Sequence, residues 1–167
     1  MKRIGEIVNR ESLHRESPLE RRRKTSTFED LEVYQVAREF RKAMYRVAKD
    51  LPEIEKFGLA SQIRRAAVSL TNNIAEGHGR YHYLDQIKFT LQSRGSLEEL
   101  VDDLNICEHQ QYLVGKQIIA LKEQGWRVRQ LIDGYIRYLR QHTTPATRVK
   151  EDDFSYVDDP DDSRFSM

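Results

Sequence analysis

Between residues 28 and 142, apolar side chains recur at three- and four-residue spacing in four blocks, the period that gathers them on one side of a helix. The first block carries Val33, Ala37, Phe40, Met44, Val47 and Leu51, and predicts a helix from Thr27 to about Asp50, stopped by Pro52. Thr27 with Asp30 three residues on is a variant of the capping box, and Glu29 and Glu32 suit the positive end of the helix dipole. The second block, Leu59, Ile63, Ala66, Leu70 and Ile74, predicts a helix over about Phe57 to Glu76. Gly77 and Gly79 are expected to end it, because glycine reaches the left-handed C-cap conformation without a steric penalty.

The third helix, about Tyr83 to Gln111, has an apolar set that changes side. Leu84, Ile87 and Leu91 share one face, whereas Leu97, Leu100, Val101 and Leu104 fall roughly 120° round on an ideal helix. Gly95-Ser96 marks the change, which predicts a kink or a close backbone approach there and burial by two neighbours, one of them in another subunit. Leu97 and Leu100 are thereby candidate oligomer contacts. The fourth helix runs from about Val114 to His142, with Val114, Ile118, Leu121, Val128, Ile132, Tyr135 and Leu139 as its core stripe. Ile119 and Trp126 lie off that stripe, and Trp126 is a candidate interface anchor or a local packing residue. Four such helices joined by short loops predict an all-α, antiparallel up-down four-helix bundle.

The polar positions are patterned too. Arg38, Lys42, Arg46 and Lys49 line up opposite the core face of the first helix, a basic stripe suited to phosphate contact or simply a solvated face. Arg65, Ser69, Asn72 and Glu76 form a polar stripe on the second helix, expected to make a hydrogen-bond network between helices or subunits. Arg64 points about 100° away from Arg65, so the two have separate partners, and Arg64 is the one expected to face a ligand. Arg80, Lys88 and Arg94 are further candidate cations, and Tyr81 and Tyr83 either stack on bases or pack a helix end.

Composition alters this picture mainly through charge. The net charge of +1 conceals opposite ends: residues 1–27 hold eight Lys and Arg against four Asp and Glu, and residues 141–167 hold three against seven. Residues 1–27, with Arg21, Arg22, Arg23 and Lys24, read as a flexible basic arm, residues 28–142 as the bundle, and residues 143–167 as an acidic disordered tail. The cationic run of the arm suits phosphate contact or is a solvated tail. No apolar run reaches membrane-spanning length and no signal-peptide pattern appears, so a cytoplasmic protein is expected. The single Cys107 reads as a small buried hydrophobe.

Signals for catalysis are weak. His78 and His82 have helical metal-ligand spacing, but Gly79 interrupts the geometry and no third ligand is near in sequence. Glu98, Glu99, Asp102 and Asp103 form an acidic cluster with no histidine at the Glu-x-x-His spacing of a carboxylate-bridged metal pair. With Glu76, that cluster is expected to pair with Arg64 and Arg65. No glycine-rich phosphate loop or serine nucleophile elbow is present, and a non-enzymatic protein without metal or cofactor is expected.

The segment SQIRRAAVSLTNNIAEG from Ser61, with FEDLEVYQVARE from Phe28 and GSLEEL from Gly95, resembles the four-helix-bundle proteins encoded in intervening sequences of bacterial 23S rRNA genes. The likeness covers roughly Phe28 to Arg140. It implies a homopentameric ring with basic surface and RNA as partner; a related group serves as accessory protein to reverse transcriptases of diversity-generating retroelements. Two functions follow as expectations. One is an RNA-binding oligomer using Arg64 and the Arg38–Lys49 stripe, aided by the arm; the other is a scaffold that binds a protein such as a reverse transcriptase. The first is the leading expectation, and the near-neutral bundle is the main argument for the second.

Overall fold

The computed structural model describes residues 27–142, and the arm and tail, including Arg21, Arg22, Arg23 and Lys24, lie outside them. Four helices follow in order: α1 (Glu32–Asp50), α2 (Leu59–His78), α3 (Tyr83–His109) and α4 (Gly115–His142). There is no strand among the described residues, and none of the helices is long and apolar enough to cross a membrane. α1 packs on α2, α2 on α3, α3 on α4 and α4 back on α1, as short connections between antiparallel neighbours require.

The expected stripes of α1 and α2 form the core almost unchanged. Val33, Ala37, Phe40, Met44, Leu59, Ile63, Ala66, Leu70 and Ile74 are all buried. The capping box is present as well, although it opens a 3-10 turn, Phe28–Asp30, with the Thr27 backbone N–H donating to Asp30 Oδ2 at 2.9 Å. In α4, Ile118, Val128, Ile132 and Leu139 are buried, but Val114 precedes the helix and is largely exposed.

Two expectations about α2 and α3 are corrected. The glycines after α2 do not work through left-handed backbone: Gly77 lies inside the helix, and Gly79 caps it at a φ of −75°. Gly77 is needed for space, since a Cβ there would sit 3.0 Å from Phe89 Cβ and 3.2 Å from the Gln86 carbonyl oxygen. α3 also does not change partners. Its buried side runs Ile87, Thr90, Ser93, Ser96, Leu97, Leu100, Asp103, Leu104, Cys107, one continuous stripe in which three positions are hydroxylated and one is acidic. Leu91 is exposed, and Gly95 is exposed with nothing near its Cβ position in an unbroken helix. Leu97 and Leu100 are 1% and 0% exposed within a single chain, so they belong to the bundle core and not to a subunit interface.

Hydroxyls seam the α2–α3 contact. Ser93 Oγ donates to the Leu70 carbonyl at 2.7 Å, and Ser96 Oγ lies 2.8 Å from Ser69 Oγ. Small side chains with satisfied hydroxyls let two backbones approach closely without leaving buried polar atoms unpaired. At the opposite end of α3, Tyr112 Oη donates to Glu55 Oε1 at 3.0 Å while Glu55 Oε2 accepts from the Leu59 N–H at 3.1 Å, so one carboxylate caps α2 and ties two connections together.

Candidate nucleic-acid interface

The basic stripe on α1 is weaker than its sequence spacing implies. Glu39 lies among it, 2.8 Å from Lys42 Nζ and 3.5 Å from Arg38 Nε. The Lys42 hydrogen bond, aided by the charges of Lys42 and Arg38, holds the Glu39 carboxyl below its ordinary range. Arg46 lies with Asp50 along the groove between α1 and α4, whereas Arg64 lines the groove between α1 and α2. Lys49 is exposed and makes no ion pair among the described residues. Glu39 thus offsets part of the charge of Arg38 and Lys42, and Arg64 lines a groove of α2 instead.

What α2 does bring together is a groove against α1 of about 610 Å³, lined by Tyr45, Ser61, Arg64, Arg65, Asn72 and Asn73 among others. No carboxylate lines it. Arg64 is half-buried and donates to the Lys56 carbonyl at 3.0 Å, which fixes the side chain along the groove. Arg65 is exposed and makes no hydrogen bond or ion pair among the described residues. Asn73 Nδ2 donates to Ser69 O and Oγ at 2.9 and 3.0 Å, and Tyr45 is 41% exposed. Two guanidinium groups, two amides and a ring make a surface able to hold phosphates and stack a base. Tyr45 and Asn73 were outside the sequence reading; Tyr45 sits one position before Arg46, where a helical turn faces α2, but only the α1–α2 packing reveals that.

Within one chain, the polar stripe of α2 forms only a small part of the network expected between helices. Of Arg65, Ser69, Asn72 and Glu76, only Ser69 joins a bond between helices, through Ser96. Glu76 pairs with Arg80 one turn on, and Asn72 is exposed. A different link joins α1 to α2: Arg41 Nη1 donates at 2.8 Å to Thr71 Oγ1, which is fully buried. The acidic cluster does not pair with Arg64 or Arg65 either. Glu98 is bound by Arg129, while Glu99, Asp102 and Asp103 make no ion pair among the described residues. Asp103 is buried, and burial, then the charges of Asp102 and Glu99, push its carboxyl up to about 6.

The remaining candidates are scattered. Arg94 is bound to Asp133 of α4 and Lys88 lies 3.8 Å from Asp85, so neither is a free cation. Arg80 stacks over Phe89. Tyr81 is 92% exposed and so does not pack the helix end, whereas Tyr83 approaches His142. Trp126 is 65% exposed on α4, consistent with its place off the core stripe. Cys107 is buried, which pushes its thiol up to about 11 and leaves it unreactive. Among the described residues no group of three or more His, Cys, Asp or Glu is placed to hold a metal ion.

The described residues form an all-helical bundle of four helices, with a cationic groove beside the second. Residues 29–134 match the family model described as 23S rRNA-intervening sequence protein, and the chain belongs to that family. No curated protein matches the sequence.

Proposed function

We propose that the protein is a non-enzymatic nucleic-acid-binding bundle that contacts the RNA backbone through the α1–α2 groove and works as an oligomer, a pentameric ring in keeping with the family resemblance. The observation that carries this reading is the groove itself: Arg64 and Arg65 beside Tyr45, Asn72 and Asn73, with no carboxylate in the lining. Phosphate contacts there give affinity without sequence preference. Several copies of the groove on one oligomer bind one polyanion at high effective concentration, so modest single-site contacts suffice.

The test is RNA binding across a salt series, with the mass of the assembly measured in the same preparation. Arg65→Gln is the informative variant, because Arg65 has no partner among the described residues to lose. Binding is expected to weaken about 3- to 10-fold with a log–log salt slope about 0.7–0.9 shallower per site, and with thermal stability unchanged. An intact protein that fails to bind RNA at low salt sinks the reading.

A protein-interaction scaffold, such as a subunit that holds a reverse transcriptase, is the second reading. It is favoured by exposed apolar residues: Ile54 and Phe57, 85% and 88% exposed in the α1–α2 connection, and Val114, 65% exposed, in the α3–α4 connection at the same end of the bundle.

A further inference from the structure

Neither arginine of the α1–α2 groove meets an acid among the described residues: Arg64 donates to the neutral Lys56 carbonyl, and Arg65 has no partner. Toward α3, Arg65 also borders a second groove lined by Glu99, Asp102 and Asp103, and none of these carboxylates pairs with it. Toward α1 the lining adds Tyr45, Val68 and Asn72 and holds no carboxylate. Guanidinium and amide donors thus stand beside a ring and an aliphatic side chain. The complement of such a wall is a run of carboxylates with an aromatic residue next to it. Residues 156–162, Tyr-Val-Asp-Asp-Pro-Asp-Asp, have that composition, with four carboxylates, no Lys or Arg, and a ring at one end.

We infer that segment 156–162 of the same chain occupies the α1–α2 groove, its aspartates on Arg64 and Arg65 and Tyr156 against Tyr45 and Val68. Reach permits it. His142, where α4 ends, lies 6.1 Å from Tyr83 between ring centroids, and Ser96 of the same α3 bonds Ser69 of α2 at 2.8 Å. Thirteen residues from Tyr83 to Ser96 and four from Ser69 to Arg65 make about 26 Å along the helices. Passing round the bundle adds two helix widths, about 20–24 Å, so the two summed stay near 50 Å. Sixteen residues separate His142 from Asp158, and extended chain of that length spans about 53 Å or more. The basic run Arg21-Arg22-Arg23-Lys24 competes for the aspartates through charge alone, since residues 1–27 contain no Phe, Tyr or Trp to meet the ring. Arg64, in contrast, is already held along the groove by its 3.0 Å bond. Tethering supplies the effective concentration that a surface charge contact otherwise lacks, and salt screens it. The tail then competes with RNA for the groove, a consequence that rests on the nucleic-acid reading, whereas docking itself does not.

The test is photo-crosslinking of the full-length protein at low salt, with p-benzoylphenylalanine in place of Tyr156, followed by peptide mapping by mass spectrometry. The benzophenone inserts into C–H bonds of the groups it touches. Products are expected within one chain at Tyr45, Val68 or Asn72, with yield falling at least three-fold at high salt and in the R65Q variant. Products only at residues 1–27, only on another face of the bundle, only between two chains, or none at all, overturn the proposal. A second readout is the RNA affinity of the D158N/D159N/D161N/D162N variant. Binding at least three-fold tighter than wild type, with the gain lost in the R65Q background, supports competition for the groove. An equal gain in both backgrounds reports long-range charge repulsion and refutes competition, as does no gain. The cross-link uses no RNA, so its failure leaves the nucleic-acid reading standing. Absence of RNA binding by both proteins sinks that reading and leaves docking decided by the cross-link.

Discussion

Gly77 and Gly95 look alike in the sequence and differ entirely in what surrounds them. A methyl group at 77 meets Phe89 Cβ and the Gln86 carbonyl at 3.0 and 3.2 Å, atoms of a packed helix that must move to admit it. Gly77→Ala is expected to destabilise by about 1–3 kcal/mol, read by denaturant unfolding. At 95 nothing lies within 4 Å, so Ala there keeps only the gain in helix propensity and unfolded-state entropy, about 0.5–1 kcal/mol of added stability. Asp103 makes a prediction in pH. Its carboxyl is raised from 3.8 to about 6, so the folded chain holds a proton that the unfolded chain has lost. Stability contributed by this group is thus present below about pH 4 and declines as pH rises to about 6. Asp103→Asn should flatten that decline and, at pH 7 and high salt, stabilise the fold by about 1–2 kcal/mol after allowing for screening on the groove side.

At the scale of the element, the apolar stripes of α1 and α2 were legible because their buried side chains are apolar, with Thr71 as the polar exception. α3 was misread for the opposite reason. Thr90 and Ser93 occupy core positions, their hydroxyls spent on the Gln86 and Leu70 carbonyls, so a pattern built from apolar letters breaks where the packing does not. The cationic groove was half legible: Arg64 and Arg65 stand out in sequence, but Tyr45 and Asn73 join them only through packing of α1 on α2. The basic stripe of α1 also holds Glu39, one residue from Arg38 and three from Lys42, a pairing that the spacing of cations alone does not show. The end of α3 carries a testable cost of its own. Gln111 has a φ of 59° in the turn where the Tyr112 N–H bonds the Cys107 carbonyl, a position that suits glycine. Gln111→Gly should stabilise by roughly 1 kcal/mol, whereas Glu55→Ala should cost about 1–2 kcal/mol by removing the cap of α2 and the partner of Tyr112 together.

For the whole molecule, subunit assembly has lost one of its sequence arguments, since α3 buries a single face inside its own bundle. The surfaces left for a second copy are those a chain exposes alone, and on α4 these include Ile119 at 60% and Trp126 at 65%. Trp126 is the only tryptophan, so its fluorescence reports on that surface without interference. If the proposed ring uses α4, Trp126 is shielded from an aqueous quencher in the assembled protein and becomes accessible on dilution, in step with the fall in mass. Trp126→Arg should then lower the mass at a given concentration while leaving helix content unchanged, because the side chain contributes nothing to the bundle core and an interface centre tolerates a desolvated charge poorly. Full quencher access in a preparation whose mass is that of an oligomer would move the interface elsewhere and free the α4 face for a protein partner, which is the outcome that favours the scaffold reading over the ring.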